Sequence, residues 1–162
     1  MARQPPTPRL PSIAEIEAEI VRLINGERVA GGLSPLTPDA VLGAVARAHS
    51  RDMVTQGYFS HENPLGEGPD ERAEKAGYDV HRPMGGGVVQ GIGENIGMIP
   101  VGMVEDIGFV EQEAGSIAAA QARSWMASRS HRANILSPDF ERTGVGVAHD
   151  GKGMYTCTQV FW

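Results

Sequence analysis

The last twenty residues of the chain, Thr143–Trp162, read TGVGVAHDGKGMYTCTQVFW. The run Gly144–Ala148 alternates small and branched residues, and Met154–Trp162 is rich in residues that favour strands. A polar connection with two glycines, residues 149–153, separates the two runs. Two β-rich runs joined by a short glycine-containing turn predict an antiparallel hairpin. We therefore expect the chain to end in two paired strands.

The residues before this hairpin favour helices. Ser12 and Glu15 have the spacing of a capping box, in which a hydroxyl and a carboxylate satisfy the first amides of a helix. Apolar residues then recur at helical spacing to about Val29, and Gly31-Gly32 ends the pattern. The first helix is therefore predicted from Ser12 to about Val29.

Three further helices are predicted between the first helix and the hairpin. The second is expected to have Thr37 as its N-cap and Pro38 at its first helical position, and to end at Gly57. A short third helix is expected from Asp70 to Ala76, and a fourth from about Gln112 to Arg129.

Residues 79–93 are rich in glycine and show no periodicity, so we interpret them as a loop. Helices come before the C-terminal hairpin and do not alternate regularly with strands. This order favours an α+β fold with antiparallel pairing over a doubly wound parallel sheet.

Length and charge narrow the choice of function. The chain has 162 residues, which suggests one domain, and a formal net charge of −6. A net negative surface is repelled on average by a phosphate backbone, so nucleic acid is not an expected partner. No apolar run approaches the roughly 20 residues of a transmembrane helix. The single cysteine, Cys157, allows no disulfide within the chain, and we interpret it as a buried residue of a strand.

The N-terminal residues differ from the rest in composition. Residues 1–11 contain four prolines and little to bury, so we expect an extended leader before a single domain over 12–162. This segment lacks the apolar core of a signal peptide. Either the protein is made for the cytoplasm or an export signal has been removed.

Two histidines and one glutamate are the strongest candidates for chemistry. His61 follows the end of the second predicted helix, His131 lies where the fourth should end, and Glu94 enters a short apolar segment between glycines. A carboxylate that enters a buried segment needs a partner, and a histidine provides one. The carboxylate then fixes the histidine tautomer and leaves the other ring nitrogen free.

Each of these residues also has a structural interpretation. His61 and His131 could cap the carboxyl ends of their helices, and Glu94 and Asn95 could accept hydrogen bonds from backbone amides. His49 lies on the apolar stripe of the second helix and fits a satisfied core histidine. His81 and His149 lie in polar segments where solvated side chains are usual. Spacing alone does not bring His61, Glu94 and His131 together.

Familiar catalytic signatures are absent from the sequence. It contains no HExxH zinc helix, no GxSxG nucleophile elbow and no GxxxxGK[ST] phosphate loop. Ser60 and Ser130 directly precede the two histidines, an arrangement that seldom aligns a nucleophile with its base. Ser128 lies three residues before His131 on the predicted fourth helix, so those two side chains could meet. No oxyanion hole is indicated.

From about Ile20 to Trp162, an ordered series of motifs resembles one known family. The landmarks are Asn25-x-x-Arg28, Leu33-Ser34-Pro35-Leu36, Ala46-x-x-His49-Ser50-x-Asp52-Met53, Phe59-Ser60-His61, Arg72 before Gly77-Tyr78, Gly93-Glu94-Asn95-Ile96, Trp125-x-x-Ser128-x-Ser130-His131-Arg132-x-Asn134-Ile135-Leu136, Gly144-Val145-Gly146-Val147 and Tyr155-Thr156-x-Thr158-Gln159. In this order and spacing they resemble the CAP superfamily of cysteine-rich secretory, antigen 5 and pathogenesis-related proteins, also called SCP-like, and its short bacterial members in particular.

The resemblance implies a three-layer α-β-α sandwich around a largely antiparallel sheet. It also implies that His61, Glu94 and His131 converge in one open cleft, beside Asn95. Eukaryotic members have a second glutamate in this cleft, three residues after the tryptophan of the helix, and here that position is Ser128. The family's disulfide framework does not carry over, because its cysteines are absent.

The resemblance does not decide whether the cleft binds a metal ion. No cofactor is required, but His61 and His131 are the residues that would bind zinc or another divalent metal, with one carboxylate fewer than in the eukaryotic cleft. The segments 79–92 and 99–112 are longer than expected between these motifs. They flank the cleft in sequence and are candidates for its cover or for a partner surface.

Two functions remain open. The first is a secreted, extracellular or cell-envelope binding module whose cleft holds a small apolar ligand, a peptide or a cell-surface component. The second is a metal-assisted, protease-like hydrolase that uses the same His/Glu cleft. Since no nucleophile is evident, we favour the binding module, and the family habit of export favours loss of a signal peptide over a cytoplasmic location.

Overall fold

A computed structural model describes residues 9–162, apart from the side chains of residues 88 and 89. The first helix, α1, spans Ile13–Ala30, and its predicted capping box is confirmed. The Glu15 amide donates to Ser12 Oγ at 3.2 Å, and the Ser12 amide donates to the Glu15 carboxylate at 3.0 Å. Residues 1–8 of the predicted leader lie outside the described residues.

The predicted start of the second helix was wrong. Thr37–Pro38 form a short strand, β1, and Asp39 is the N-cap of α2, which spans Ala40–Gln56. The Asp39 carboxylate accepts hydrogen bonds from the amides of Val41 and Leu42. A carboxylate at this position also interacts favourably with the helix dipole, which a threonine hydroxyl does not. The backbone of Thr37 is instead paired in the sheet.

The loop predicted over residues 79–93 was also wrong in part. After α3 (Pro69–Lys75), strands β2 (Arg82–Gly85) and β3 (Val88–Gln90) pair as a small hairpin, and β4 (Gly93–Pro100) starts within the predicted loop. The three consecutive glycines at 85–87 all have positive φ angles, between 59° and 92°. They form the tight turn of the hairpin, a backbone conformation that favours glycine.

The fourth predicted helix is confirmed to within two residues at each end, but a separate short helix, which was not predicted, follows it. A second small hairpin, β5 (Gly102–Val104) and β6 (Gly108–Val110), is followed by α4 (Ala114–Ala127) and α5 (Arg129–Ile135). The break lies at Ser128, whose ψ of 125° is extended. Serine disfavours the interior of a helix, because its hydroxyl can hydrogen-bond to nearby backbone groups in non-helical conformations. The spacing of apolar residues alone did not indicate a break at Ser128.

The C-terminal hairpin is confirmed. Strands β7 (Arg142–His149) and β8 (Met154–Phe161) pair antiparallel. The main sheet has the order β1-β7-β8-β4, with β4 antiparallel to β8 and only β1 parallel to its neighbour. The sheet is therefore largely antiparallel, as predicted, and β8 lies at its centre beside β4.

The sheet is covered on both faces, which gives the predicted three-layer α-β-α sandwich. Helix α2 packs on β7 and β8 from one side, whereas α1 packs on β7 and α4 on β4. A side chain at Gly144 or Gly146 would overlap the backbone of α2 at Gly43 and Arg47, so the glycines of β7 let α2 lie directly on the sheet. None of the helices in residues 9–162 is long and apolar enough to cross a bilayer.

Candidate functional site

Glu94 lies on β4 and its side chain is only 2% exposed. One carboxylate oxygen, Oε1, lies 2.8 Å from His61 Nδ1 and accepts a hydrogen bond from Arg72 at 3.1 Å. The other oxygen, Oε2, lies 2.9 Å from a guanidinium nitrogen of Arg72. The buried carboxylate of Glu94 therefore has two partners, a histidine and an arginine.

These partners control the protonation of Glu94. Burial alone would raise the pKa of this carboxyl group. The hydrogen bonds from His61 and Arg72, together with the charge of Arg72, outweigh burial and hold the pKa of Glu94 below its ordinary value. The carboxylate is therefore ionised at neutral pH and is a weak base.

Arg72 is the site residue that sequence reasoning missed. It projects from α3, its side chain is 9% exposed, and it also donates a 2.7 Å hydrogen bond to the backbone oxygen of His61. The guanidinium thus connects α3, the segment before it and β4. In the sequence it is an arginine on a short helix, a place where arginines are usually solvated, and only its position among the family landmarks marked it.

Glu94, Arg72 and His61 form one side of the site, which we call the His61 wall, and His49 of α2 packs behind it. Its ring is buried, with Nε2 2.9 Å from the backbone oxygen of Ser60 and 3.9 Å from Glu94 Oε1. Burial and the nearby charge of Arg72 lower the pKa of His49, so the ring is neutral at physiological pH. The interpretation of His49 as a satisfied core histidine is confirmed.

His61 stands at the mouth of this wall, with its side chain 53% exposed. Because Nδ1 faces the carboxylate, we assign the proton to Nδ1, which leaves Nε2 free. The alternative role as a cap of α2 is wrong, since that helix ends at Gly57, whose φ of 71° closes it four residues earlier.

His131 lies on α5, within the short helix and not at the end of a long one, so its alternative role as a cap of the fourth helix is also wrong. Its backbone oxygen accepts a 3.1 Å hydrogen bond from the buried amide of Asn95. Asn134 donates to Asn95 Oδ1 at 2.9 Å and to the backbone oxygen of Glu94 at 3.2 Å. These amides attach α5 to β4.

The ring of His131 makes no hydrogen bond to another side chain or backbone group of residues 9–162. Burial, and after it the charge of His61, lowers the pKa of His131. His61 and Glu94 thus lie together, and the buried amide of Asn95, the next residue on β4, holds the helix that carries His131.

Ser128 does not meet His131 as a helical spacing predicted. Its backbone is extended at the junction of α4 and α5, and its hydroxyl lies 3.3 Å from that of Ser130. The two hydroxyls contact each other and not an imidazole. The missing contact follows from the break in the helix, because residues i and i+3 share a face only within continuous helix.

The donor set suits a metal only in a limited way. Within residues 9–162, no group of three His, Cys, Asp or Glu side chains is arranged to hold a metal ion. Glu94 is engaged by Arg72, which leaves the nitrogen donors of His61 and His131. Carboxylates commonly orient metal-bound histidines from behind, so these two imidazoles are the groups that remain to hold a cation.

The family comparison covers most of the chain. The model of the cysteine-rich secretory protein family, CAP, matches residues 21–161. The uncharacterized protein YkwD of Bacillus subtilis is 31% identical over 140 residues, which are 86% of this chain and 45% of that protein. The chain thus spans less than half the length of this relative.

Two solved structures have a similar fold. An extracellular protein of Bacillus anthracis that contains an SCP domain is 28% identical, with a TM-score of 0.69 over 91% of this chain and 40% of that one. An outer surface protein of Borrelia burgdorferi is 16% identical, with a TM-score of 0.70 over 93% of both chains. Because the family model matches nearly the whole described chain and the fold agrees with it, the chain belongs to the cysteine-rich secretory protein (CAP) family.

Proposed function

We propose that this CAP domain is a non-catalytic binding module whose ligand contacts the imidazoles of His61 and His131. The observation that carries the proposal is the double pairing of Glu94. Its carboxylate orients His61 and neutralises Arg72, so it is used in holding the cleft together. The free nitrogens of the two imidazoles are then the groups that a ligand would meet.

The same pairing argues against hydrolysis. A general base works best when its pKa lies near the working pH, but the pKa of Glu94 is held low by His61 and Arg72. The hydroxyls of Ser128 and Ser130 contact each other and do not hydrogen-bond to His131. A nucleophile without a base is weak at neutral pH.

The exposed nitrogens favour a particular class of ligand. Imidazole nitrogens donate and accept hydrogen bonds, so a peptide or a polar component of the cell surface suits them better than a wholly apolar molecule. We place the module outside the cytoplasm, at the cell envelope or beyond it. The relatives support this location, since one is described as extracellular and another as an outer surface protein.

A divalent cation such as zinc is part of this proposal. The cation would be held by His61 Nε2 and a ring nitrogen of His131, and when bound it would polarise a ligand oxygen. Glu94 would act by fixing the orientation of His61, as carboxylates behind metal-bound histidines do.

Sedimentation with washed peptidoglycan sacculi tests the binding role. We expect the wild-type domain to sediment with the sacculi and the His61→Ala/His131→Ala double variant to stay in solution like an unrelated acidic protein. Equal sedimentation of both would contradict a role for the imidazoles, and no sedimentation of either would contradict this class of ligand.

A cleavage assay with fluorescently labelled casein tests the non-catalytic role. We expect no release of fluorescence by the wild-type protein beyond that of the double variant. Cleavage by the wild type that is abolished by Glu94→Gln would contradict the proposal and establish a hydrolase. Cleavage that survives this substitution indicates a contaminating protease.

A further inference from the structure

A cavity lies between α2, α3 and the turn at residues 63–67, and Arg72, the partner of Glu94, is part of its lining. Its volume is about 480 Å³, within the range of small-molecule sites. Much of the lining is apolar: Ala44 and Ala48 come from α2, and Ala76 follows α3. Leu65 also lines the cavity, and the residue is 81% exposed. His61 and His131 do not line this cavity.

The charges around the cavity do not balance. Two cations line it, and each is already paired: Arg72 with Glu94, and Lys75 with Glu67. A third carboxylate, Asp52, forms no ion pair with a described lysine, arginine or histidine within 4.0 Å. The cavity therefore has one uncompensated negative charge next to apolar surface.

Asp52 is positioned but not saturated. It accepts hydrogen bonds from the Tyr58 hydroxyl at 2.6 Å and from the Gln56 amide at 2.5 Å. An ionised carboxylate offers about four acceptor sites, so about two remain. These two hydrogen bonds also lower the pKa of Asp52, Tyr58 more than Gln56, which keeps the group charged at neutral pH.

We propose that this cavity binds an organic ammonium ion. Its apolar body lies against Ala44, Ala48 and Leu65, and its ammonium group donates to Asp52. An anion is a poorer fit, because the guanidinium and the amine at the cavity are both neutralised by carboxylates. Arg72 Nε has no hydrogen-bond partner among residues 9–162, but it is buried and thus closed to a ligand in the cavity. This site goes beyond the function proposed for the His/Glu cleft.

Three probes of equal chain length separate the charges. Hexylammonium, hexanol and hexanoate are titrated into the wild-type protein, and binding is followed by NMR shifts of the α2 and α3 amides. We expect hexylammonium to bind most tightly, hexanol more weakly and hexanoate most weakly. Hexanol as tight as hexylammonium, hexanoate as the tightest of the three, or no shifts with any probe would overturn the proposal.

Two variants then test whether Asp52 and the cavity beside it bind the probe, and two further variants serve as controls. Asp52→Asn keeps an oxygen for Tyr58 but removes the charge, and we expect hexylammonium to bind about tenfold more weakly, as for loss of one charge-assisted hydrogen bond. Ala48→Leu fills the cavity from an exposed position, so it is expected to fold and to lose the probe. Glu105→Gln removes an equal charge elsewhere, and the His61→Ala/His131→Ala double variant alters only the cleft.

The two controls, Glu105→Gln and the His61→Ala/His131→Ala double variant, are expected to bind hexylammonium like the wild type. Unchanged affinity in Asp52→Asn would overturn the ammonium assignment, and unchanged affinity in Ala48→Leu would overturn the cavity as the site. Loss of binding in the double variant would place the probe in the His/Glu cleft and contradict a separate site.

Discussion

The two histidines of the cleft are held in different ways. The ring of His61 is fixed by a hydrogen bond to Glu94, which is itself fixed by Arg72. Asn95 holds only the backbone of His131, and the ring of His131 makes no hydrogen bond to the described residues. One imidazole is therefore preorganised by a buried ion pair, whereas the other remains free to turn toward a ligand.

This difference has an energetic consequence. A buried carboxylate and guanidinium are costly to separate, because removal of one leaves the other charged in a poorly solvated place. The partly buried imidazole of His131, which has no hydrogen-bond partner among the described residues, costs little to remove. The stability of the protein should therefore fall when Glu94 or Arg72 is substituted. Around His131 it should fall only when the amides of Asn95 and Asn134 are substituted.

The largest effect is expected for Glu94→Gln. The substitution leaves the guanidinium of Arg72 buried without its counterion, and we expect the free energy of unfolding to fall by about 3 kcal/mol. Urea denaturation measures the loss. Glu141→Gln is the matched control, because Glu141 pairs with Arg82 at an exposed site where an ion pair contributes less than about 1 kcal/mol. Equal losses in both variants would contradict the buried pair.

The next effect is expected for Asn95→Ala. This fully buried amide donates to the backbone oxygen of His131 and accepts from Asn134, so its removal takes one hydrogen bond from each of these groups. We expect a loss of about 1–3 kcal/mol, and hydrogen exchange should show faster opening of α5. A stability within about 0.5 kcal/mol of the wild type, the range of surface substitutions, would show that the amide does not hold α5.

Acid should weaken the His61 wall. The pKa of buried His49 is lowered in the folded state, so the unfolded chain binds the proton more tightly. The unfolding free energy should therefore fall as the pH drops below about 6.5, the ordinary histidine value. Glu94, whose pKa is also lowered, adds to the loss only in a more acid range, below its ordinary value of 4.5.

Urea denaturation between pH 5 and pH 8 measures this dependence, and His49→Gln should make it shallower. His131 contributes in the same direction, since its pKa is lowered too, and His131→Ala is therefore measured in parallel. A slope that is unchanged in His49→Gln would show that this histidine is not the titrating group.

The smallest effect is expected on the His131 side chain itself. His131→Ala removes a ring with no hydrogen-bond partner among the described residues, so we expect a change of less than about 0.5 kcal/mol near pH 7. Ser128→Ala is expected to be equally mild, because its hydroxyl contacts only that of Ser130. A loss above about 1 kcal/mol in His131→Ala would show that its ring is held more firmly than we infer.

Local patterns in the sequence predicted the elements whose signals are local. The hairpin of β7 and β8 and the capping box at Ser12 depend on neighbours in the chain, and both are confirmed. The break at Ser128 and the strand at Thr37 depend on tertiary contacts that override periodicity and capping preference. The glycines at 85–87 were interpreted as a loop because their role as a turn is visible only once β2 and β3 pair.

The site residues also differ in whether the sequence could predict them. The family motifs implied that His61, Glu94 and His131 converge, which spacing alone could not do, and the structure joins His61 to Glu94 by a hydrogen bond. Arg72 was missed as a site residue because its ion pair with Glu94 joins residues 22 positions apart. The uncompensated charge of Asp52 emerges only after the other charges around the cavity have been matched with partners.

Zinc titration calorimetry on chelator-stripped protein tests most directly whether His61 and His131 present free nitrogens to one cleft. We expect saturable one-to-one binding by the wild type, weaker binding by either single alanine variant, and none by the His61→Ala/His131→Ala double variant. Glu62→Gln, an exposed neighbour without a side-chain partner among the described residues, serves as the control and should bind like the wild type. Zinc binding that persists in the double variant, or no binding by the wild type, would contradict a cleft in which the two imidazoles act together.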